Sequence, residues 1–114
     1  MCSSDLGTGT VVFAGAIVQP DTVIGAHCII NTGASVDHDC VLGDAVHIAP
    51  GARLAGGVTV GARSFIGIGA VVAPGITIGD DVIIGAGAAV VRDIPSGTTA
   101  VGVPARPLTP RERL

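Results

Sequence analysis

The sequence predicts an all-β fold, a parallel β-solenoid in which the chain winds in coils of eighteen residues. Three observations support this fold class: an aliphatic residue at every sixth position, a small or β-branched residue four positions after it, and glycine at regular intervals between them. Aromatic residues make up 2% of the chain although 48% is hydrophobic, so the large rings that usually fill a core are nearly absent. Such a composition is typical of many thin and equivalent layers.

The aliphatic repeat runs unbroken from Val12 to Val90. Helical periodicity does not fit a spacing of six, and β-branched residues are unfavourable in helices, whereas a short strand followed by a tight corner fits well. Three such units close a triangle, and stacked triangles form a solenoid. The repeated aliphatic positions are Val12, Val18, Ile24, Ile30, Val36, Leu42, Ile48, Leu54, Val60, Ile66, Val72, Ile78, Ile84 and Val90.

The phase of the repeat predicts where each side chain points. Each aliphatic residue and the residue two before it face the core, the residue between them faces outward, and the next three form the corner. We expect strands of about three to five residues, stacked about 4.8 Å apart. Glycines that directly follow the aliphatic residue, such as Gly25, Gly43 and Gly61, are interpreted as corner positions that need a positive φ.

The repeat divides the chain into three parts. Residues 1–11 are predicted to be an irregular lead-in, residues 12–91 the β-helix, and residues 92–114 a C-terminal extended segment and tail. The pattern fails after Val91, where residues 92–97 are rich in turn formers and residues 101–106 favour an extended strand.

Composition and charge exclude several classes of protein. No apolar run approaches the ~20 residues of a membrane-spanning helix, so no membrane partner is expected. A net charge of −3, with arginines scattered and no lysine, argues against a nucleic-acid partner. The three cysteines lack the spacing of a disulfide framework and predict reduced thiols, hence a cytoplasmic location.

His38 is the first candidate for chemistry, since it lies at a predicted corner between Asp37 and Asp39. A carboxylate beside an imidazole fixes its tautomer and stabilises the imidazolium, which suits a general base near neutral pH. The alternative interpretation is a solvated corner, because aspartate also favours turns.

The other polar candidates are weaker. His47 is at an outward strand position, and His27 is at a corner without an acidic neighbour, which indicates a structural role. The three histidines are separated by eleven and nine residues and do not stack on adjacent coils, so no metal site is predicted. Cys40, like Cys28, has the phase of a core position and is interpreted as a small buried residue rather than a nucleophile.

Three segments carry a resemblance to a known family: residues 36–40, residues 46–51 and the C-terminal residues 101–106. They resemble the sialic acid O-acetyltransferase and UDP-4-amino-sugar N-acetyltransferase family of hexapeptide-repeat acyltransferases. The resemblance implies a left-handed parallel β-helix of about four to five coils and a homotrimer. It further implies acetyl-CoA as co-substrate, no metal, and a sugar or nucleotide sugar whose amino or hydroxyl group accepts the acetyl group.

The resemblance also assigns roles to individual residues. His38 matches the catalytic base, and Asp39 matches the acidic residue that raises the basicity of that base. His47, Ile68 and Ala86 match the positions that bind acetyl-CoA. Ile68 and Ala86 are eighteen residues apart, so the repeat independently predicts that they stack on successive coils.

Two alternatives remain open at the level of sequence. Members of the family usually carry an N-terminal Rossmann-like domain that holds much of the nucleotide sugar. This chain begins almost at the first coil, and the sequence leaves open whether it is a fragment that lacks such a domain. The alternative to an enzyme is a non-catalytic solenoid scaffold or a truncated relic without the acceptor-binding domain. Neither N- nor O-acetylation is favoured by the residues.

Overall fold

A computed structural model describes residues 5–108, which form a left-handed parallel β-helix of about five coils. Its extents are 47 × 23 × 22 Å. The described residues hold seventeen strands, and all except the three-residue β16 contain two residues, fewer than the three to five predicted. The strands are β1 (Asp5–Leu6), β2 (Val11–Val12), β3 (Ile17–Val18), β4 (Val23–Ile24), β5 (Ile29–Ile30), β6 (Ser35–Val36), β7 (Val41–Leu42), β8 (His47–Ile48), β9 (Arg53–Leu54), β10 (Thr59–Val60), β11 (Phe65–Ile66), β12 (Val71–Val72), β13 (Thr77–Ile78), β14 (Ile83–Ile84), β15 (Ala89–Val90), β16 (Thr99–Val101) and β17 (Arg106–Pro107).

The strands form three sheets, one on each side of the triangle. The first sheet runs β1-β4-β7-β10-β13, the second begins β2-β5-β8-β11-β14-β16 and ends with β17, and the third runs β3-β6-β9-β12-β15. From β1 to β12 each strand pairs in parallel with the strand three places later, so a residue lies beside the one eighteen positions further on. The predicted column of Val36, Leu54, Val72 and Val90 is confirmed by this register.

The core consists of the predicted aliphatic columns. From Ile24 to Val90 every repeated aliphatic residue is buried. Val12 and Val18 differ from the prediction: Val12 is 37% exposed and Val18 is half-buried. Within the described residues the first coil has a neighbouring coil on one side only, and this leaves its inward side chains partly uncovered.

The second inward position holds small side chains, several of which also form hydrogen bonds. Here Thr22, Cys28, Cys40 and Ser64 each donate to a backbone carbonyl fifteen residues later in the chain, on the next coil. Burial raises the pKa of the Cys28 and Cys40 thiols, which are both free. The prediction that these two cysteines face the core is confirmed.

The corner glycines have a different role from the one predicted. From Gly15 to Gly87, positive φ occurs at the third residue after the aliphatic position, as at Asp39 (61°) and Gly57 (73°), not at the first. The glycine directly after the aliphatic residue is needed for close approach of the coils: a Cβ on Gly43 would lie 2.8 Å from the nitrogen of Ala62, and one on Gly61 would lie 2.5 Å from the nitrogen of Asp80. The interpretation of Gly25, Gly43 and Gly61 as positive-φ positions was therefore wrong.

The paired strands extend beyond the predicted limits of residues 12 and 91. At the N-terminal end β1 pairs with β4. At the C-terminal end Ile94 bridges Ile78 and β16 pairs with β14, so inward residues there lie sixteen rather than eighteen positions beyond their neighbours. This coil is two residues shorter than the others. A search for aliphatic residues at a constant spacing of six therefore does not detect that the solenoid continues here. Strand β17 then folds back antiparallel on β16.

Candidate functional site

The corners stack in columns along the helix axis, and His38 belongs to one of them. We call this column, formed where the third sheet passes into the first, the His38 corner. The carbonyl oxygen of His38 accepts a bond of 3.0 Å from the nitrogen of Gly57, and the nitrogen of Asp39 donates to the carbonyl of Pro20 at 3.4 Å. These bonds fix the backbone of His38 between the preceding and following coils. At intervals of eighteen, the residues of this column are Pro20, His38, Gly56, Pro74 and Arg92.

His38 and Asp39 form a hydrogen-bonded pair. The Nδ1 atom of His38 lies 3.0 Å from Oδ2 of Asp39, and both side chains are 65% exposed. A carboxylate only accepts hydrogen bonds, so Nδ1 carries the hydrogen and the lone pair of Nε2 is left to take up a proton. Because the pair is exposed, it contributes little to stability, and its effect is to orient the ring.

His47 lies on a different face, in the middle of the second sheet. Its Nε2 is 3.3 Å from Nδ2 of Asn31, whose Oδ1 accepts a bond of 2.8 Å from the nitrogen of Thr32. This second bond turns the amide so that Nδ2 faces the imidazole, and Nε2 of His47 is then the acceptor. The imidazole also meets Phe65 edge to face, with ring centroids 4.9 Å apart.

Sequence analysis missed the contact between Asn31 and His47. The two residues are sixteen positions apart, which places them on neighbouring coils but not in the same column. The sequence feature that could have predicted this contact is the amide of Asn31 at a corner, close to the outward-facing His47 of the next coil.

Ile68 and Ala86 stack on successive coils at the corner between the second and third sheets, which we call the Ile68 corner. The nitrogen of Gly87 donates to the carbonyl of Ile68 at 2.8 Å, and both side chains point to solvent, with Ile68 61% exposed. Pro50 is the member of the same column one coil before Ile68. The column forms an apolar ridge, and its predicted contact with acetyl-CoA stays a prediction.

One chain does not bring all the predicted site residues together. The Ile68 corner and the His38 corner lie at opposite ends of the third sheet. On one coil they are represented by Pro50 and Gly56, separated by six residues that span roughly 20 Å when extended. His47 belongs to a separate face from His38.

The remaining candidates carry no further chemistry of their own. His27 adopts a φ of 59°, and its ring lies over Gly9, where a Cβ would be 2.5 Å from Nδ1. In residues 5–108 no group of three histidine, cysteine or acidic side chains is placed to hold a metal ion. Among the same residues no helix is long and apolar enough to span a membrane.

A cavity of about 370 Å³ lies at the C-terminal end of the solenoid. Residues 91–95 and residues 104–107 line it, and they include Arg92 and Arg106. Arg92 belongs to the same column as His38, so the cavity lies at the end of the His38 corner.

Comparison with known proteins identifies a family profile that matches the repeat. The profile of the family described as bacterial transferase hexapeptide (six repeats) matches residues 21–56 and 57–92. No curated protein sequence matches the chain.

Several solved structures are similar. A mutant of perosamine N-acetyltransferase from Caulobacter crescentus, in complex with CoA and GDP-perosamine, is 54% identical over 94% of this chain and 51% of its own, with a TM-score of 0.93. The acetyltransferase domain of PglB from Neisseria gonorrhoeae, in complex with acetyl coenzyme A, is 49% identical over 93% of this chain and 52% of its own, with a TM-score of 0.92. WeeI from Acinetobacter baumannii is 35% identical over 92% of this chain and 52% of its own, with a TM-score of 0.88.

The chain spans about half the length of these structures. The family profile covers 72 residues, the sum of the 36 residues in each of its two matches, which is more than half of the chain. Together with the parallel coils of eighteen residues, this match shows that the chain belongs to the bacterial transferase hexapeptide family.

Proposed function

We propose that the chain transfers an acetyl group from acetyl-CoA to an amino or hydroxyl group of a sugar or nucleotide sugar. The observation that carries this proposal is the pairing of His38 Nδ1 with Asp39, which leaves Nε2 at the surface as a proton acceptor. The similar structures with acetyl coenzyme A, or with CoA and GDP-perosamine, support the choice of donor and acceptor class.

In the proposed reaction His38 acts as a general base. Its Nε2 takes the proton from the acceptor amine or hydroxyl while the acceptor atom attacks the thioester carbonyl. A backbone N–H stabilises the resulting oxyanion, the carbon–sulfur bond breaks, and the proton passes to the CoA thiolate. Asp39 stabilises the imidazolium that forms in between. No acyl-enzyme is required.

The donor is proposed to lie along the Ile68 corner. Ile68 and Ala86 offer an exposed apolar ridge to the pantetheine arm, and His47, held by Asn31, contacts the donor from the second sheet. The segment Pro104–Arg106, at the C-terminal end of the solenoid, would meet the CoA phosphates. The guanidinium of Arg106 suits a phosphate partner.

A homotrimer would complete the site. The second sheet exposes Val11, Phe65 and Ile83 at outward positions, an apolar face suited to a second copy of the chain. Since the His38 corner and the Ile68 corner are separated by a whole face, His38 of one subunit would act together with His47, Ile68 and Ala86 of its neighbour. We place the reaction in the cytoplasm, where free thiols such as Cys28 and Cys40 stay reduced.

The test measures CoA release from acetyl-CoA with a panel of acceptors: GDP-perosamine, a UDP-linked 4-amino sugar, free amino sugars, and sugars that offer only hydroxyl groups. Mass spectrometry of the products then separates N- from O-acetylation. Binding of acetyl-CoA without acetylation of any acceptor would support the alternative, a non-catalytic scaffold that retains the donor site along the Ile68 corner.

Mixing inactive variants tests the shared site. We expect His38→Ala and His47→Ala subunits, unfolded and refolded together, to recover activity, because about a quarter of randomly formed interfaces then hold both wild-type residues. Each variant refolded alone is the control. No recovery in a mixture whose mass corresponds to a trimer would contradict a site built from two subunits.

A further inference from the structure

Gly56 is the neighbour of His38 on the following coil. The nitrogen of Gly57 donates to the carbonyl of His38 at 3.0 Å, and the nitrogen of Gly75 donates to the carbonyl of Gly56 at 3.0 Å. These bonds place the α-carbon of Gly56 directly beside the side chain of His38.

The imidazole occupies the space that a side chain at position 56 would need. A Cβ on Gly56 would lie 2.7 Å from Cε1 of His38, 2.9 Å from Nε2 and 3.2 Å from Nδ1. All three nearest atoms belong to the ring and none to the backbone. Cβ atoms essentially never come this close to another heavy atom, so any residue except glycine would displace the ring.

Backbone conformation does not explain this glycine. Gly57 has a φ of 73° and is favoured there for its conformation, but Gly56 is not among the residues with positive φ. The comparison with His27 is instructive, because its ring also lies over a glycine, Gly9, whose φ is 76°. The backbone conformation therefore explains a glycine at position 9 without reference to the histidine ring. At position 56 the contact with the ring of His38 is what explains the glycine.

We propose that Gly56 is a positioning residue for His38: its missing Cβ lets the imidazole lie against the next coil with Nδ1 directed at Asp39. This inference rests on the proposed function, in which His38 is the base. Gly56 acts through His38 by leaving room for the ring orientation in which Asp39 keeps the hydrogen on Nδ1 and the lone pair on Nε2.

Gly56→Ala separates this role from a structural one. The backbone at position 56 accepts alanine, and the only close atoms are at the end of a side chain that is exposed and free to rotate. The coil is therefore expected to stay intact while the ring turns away and loses its bond to Asp39. Without that bond the imidazole is no longer held as the Nδ1–H tautomer.

The experiment measures the tautomer of the His38 imidazole directly by NMR, in the full chain. The nitrogen chemical shifts of the His38 imidazole, assigned by their loss in His38→Ala, should report the Nδ1–H tautomer in the wild type and a shift toward the Nε2–H form in Gly56→Ala. CoA release should fall about 10²-fold in kcat, as expected for a catalytic group misplaced by about 1 Å. The KM for acetyl-CoA should stay within about twofold, because in the proposed site the donor contacts are made elsewhere.

Two controls complete the design. Pro74→Ala changes the same column one coil further, retains a Cβ, and should leave the His38 signals unchanged. In His38→Ala the added methyl group meets no ring, so Gly56→Ala should lower the melting temperature less in that background than in the wild type.

Unchanged nitrogen shifts in Gly56→Ala would overturn the inference, as would equal effects on melting temperature in the two backgrounds. A wild-type chain that releases no CoA with any acceptor would count against the proposed function alone. The ring signals and the melting temperatures are measured without turnover, so the two failures are distinguishable.

Discussion

The His38 corner and the corner between the first and second sheets share one backbone geometry but differ in their polar chemistry. At the latter, which we call the Arg63 corner, polar side chains connect successive coils: Oδ1 of Asp80 accepts from the nitrogen of Ala62 at 2.8 Å, and Arg63 binds Asp81 through two bonds of 2.8 and 3.0 Å. At the His38 corner the neighbours above and below His38 are Gly56 and Pro20, whose side chains offer no polar group.

The difference shows how one repeat yields both structural and reactive positions. Where the next coil offers a hydrogen-bond donor or acceptor, the polar side chain at a corner binds it and so connects the two coils. His38 has no such partner on the neighbouring coils, so it binds Asp39 within its own corner and keeps one ring nitrogen open. At the His38 corner the open ring nitrogen therefore depends on two features together, the bond to Asp39 and the absence of a polar side chain at positions 20 and 56.

The largest expected effect is that of His38→Ala. Removing the base should lower kcat for acetyl transfer by ~10²–10⁴, while acetyl-CoA still binds. The measurement is CoA release at saturating donor together with donor binding by calorimetry. His27→Ala is the matched control, since His27 is also an exposed corner histidine over a glycine, and its activity should equal that of the wild type. An unchanged rate for His38→Ala would make Asp37, His38 and Asp39 a solvated corner.

Ser64→Ala should destabilise the Arg63 corner without affecting the His38 corner. The hydroxyl of Ser64 is buried, donates to the carbonyl of Gly79 at 2.7 Å and accepts from the nitrogen of Val82 at 3.0 Å. Its removal leaves the buried nitrogen of Val82 and the partly buried carbonyl of Gly79 without this partner, at a cost of about 1–3 kcal/mol in the free energy of unfolding. Urea unfolding measures the loss, and Ser64→Cys should restore part of it, because Cys28 and Cys40 form the equivalent bond. Equal stability of the alanine and cysteine variants would contradict this account.

Asp39→Asn should have a smaller effect on catalysis than loss of His38. Asparagine tolerates the φ of 61° at this position and still offers an oxygen to Nδ1, so the corner and the ring orientation persist. The negative charge that stabilises the imidazolium is lost, and kcat should fall on the order of tenfold. Asp37→Asn, which removes the carboxylate on the other side of His38, is the control and should change kcat less. Equal losses for the two variants would show that only the net charge matters.

The smallest expected effect is on the pH dependence of stability at the Arg63 corner. The hydrogen bond and charge of Arg63 lower the pKa of Asp81 from its ordinary value of 3.8. A lowered pKa in the folded state gives stability that is present above the unfolded value and is lost as the pH falls through the folded one. Asp81→Asn should therefore melt slightly below the wild type at neutral pH, and the difference should shrink as the pH falls below 3.8 and through the lowered pKa of Asp81. Because both groups are exposed, a large difference, or one that persists in acid, would exclude this ion pair as its cause.

The parts of the fold that repeat could be predicted from the sequence. Columns such as Val36, Leu54 and Val72 follow from constant spacing, because every coil imposes the same demand on its inward side chains. The coil containing Ile94 escaped detection because it is two residues shorter. Gly43 was misinterpreted because a sequence does not distinguish a glycine required by φ from one required by the approach of another coil.

The candidate site follows the same rule. The contact of His38 with Asp39 was predictable because it lies within one corner. The contact of Asn31 with His47 and the position of the His38 ring over Gly56 depend on the side-chain directions of two neighbouring coils, which spacing alone does not give.

The register of eighteen residues also determines how the molecule would respond to force. Each coil is bonded to the coil before it and the coil after it, so under tension between the termini the coils would detach singly rather than together. A coil that contributes about 4.8 Å to the height of the stack extends to roughly 60 Å once released. Stretching this protein would therefore lengthen it by about 55 Å for each coil of eighteen residues that is released.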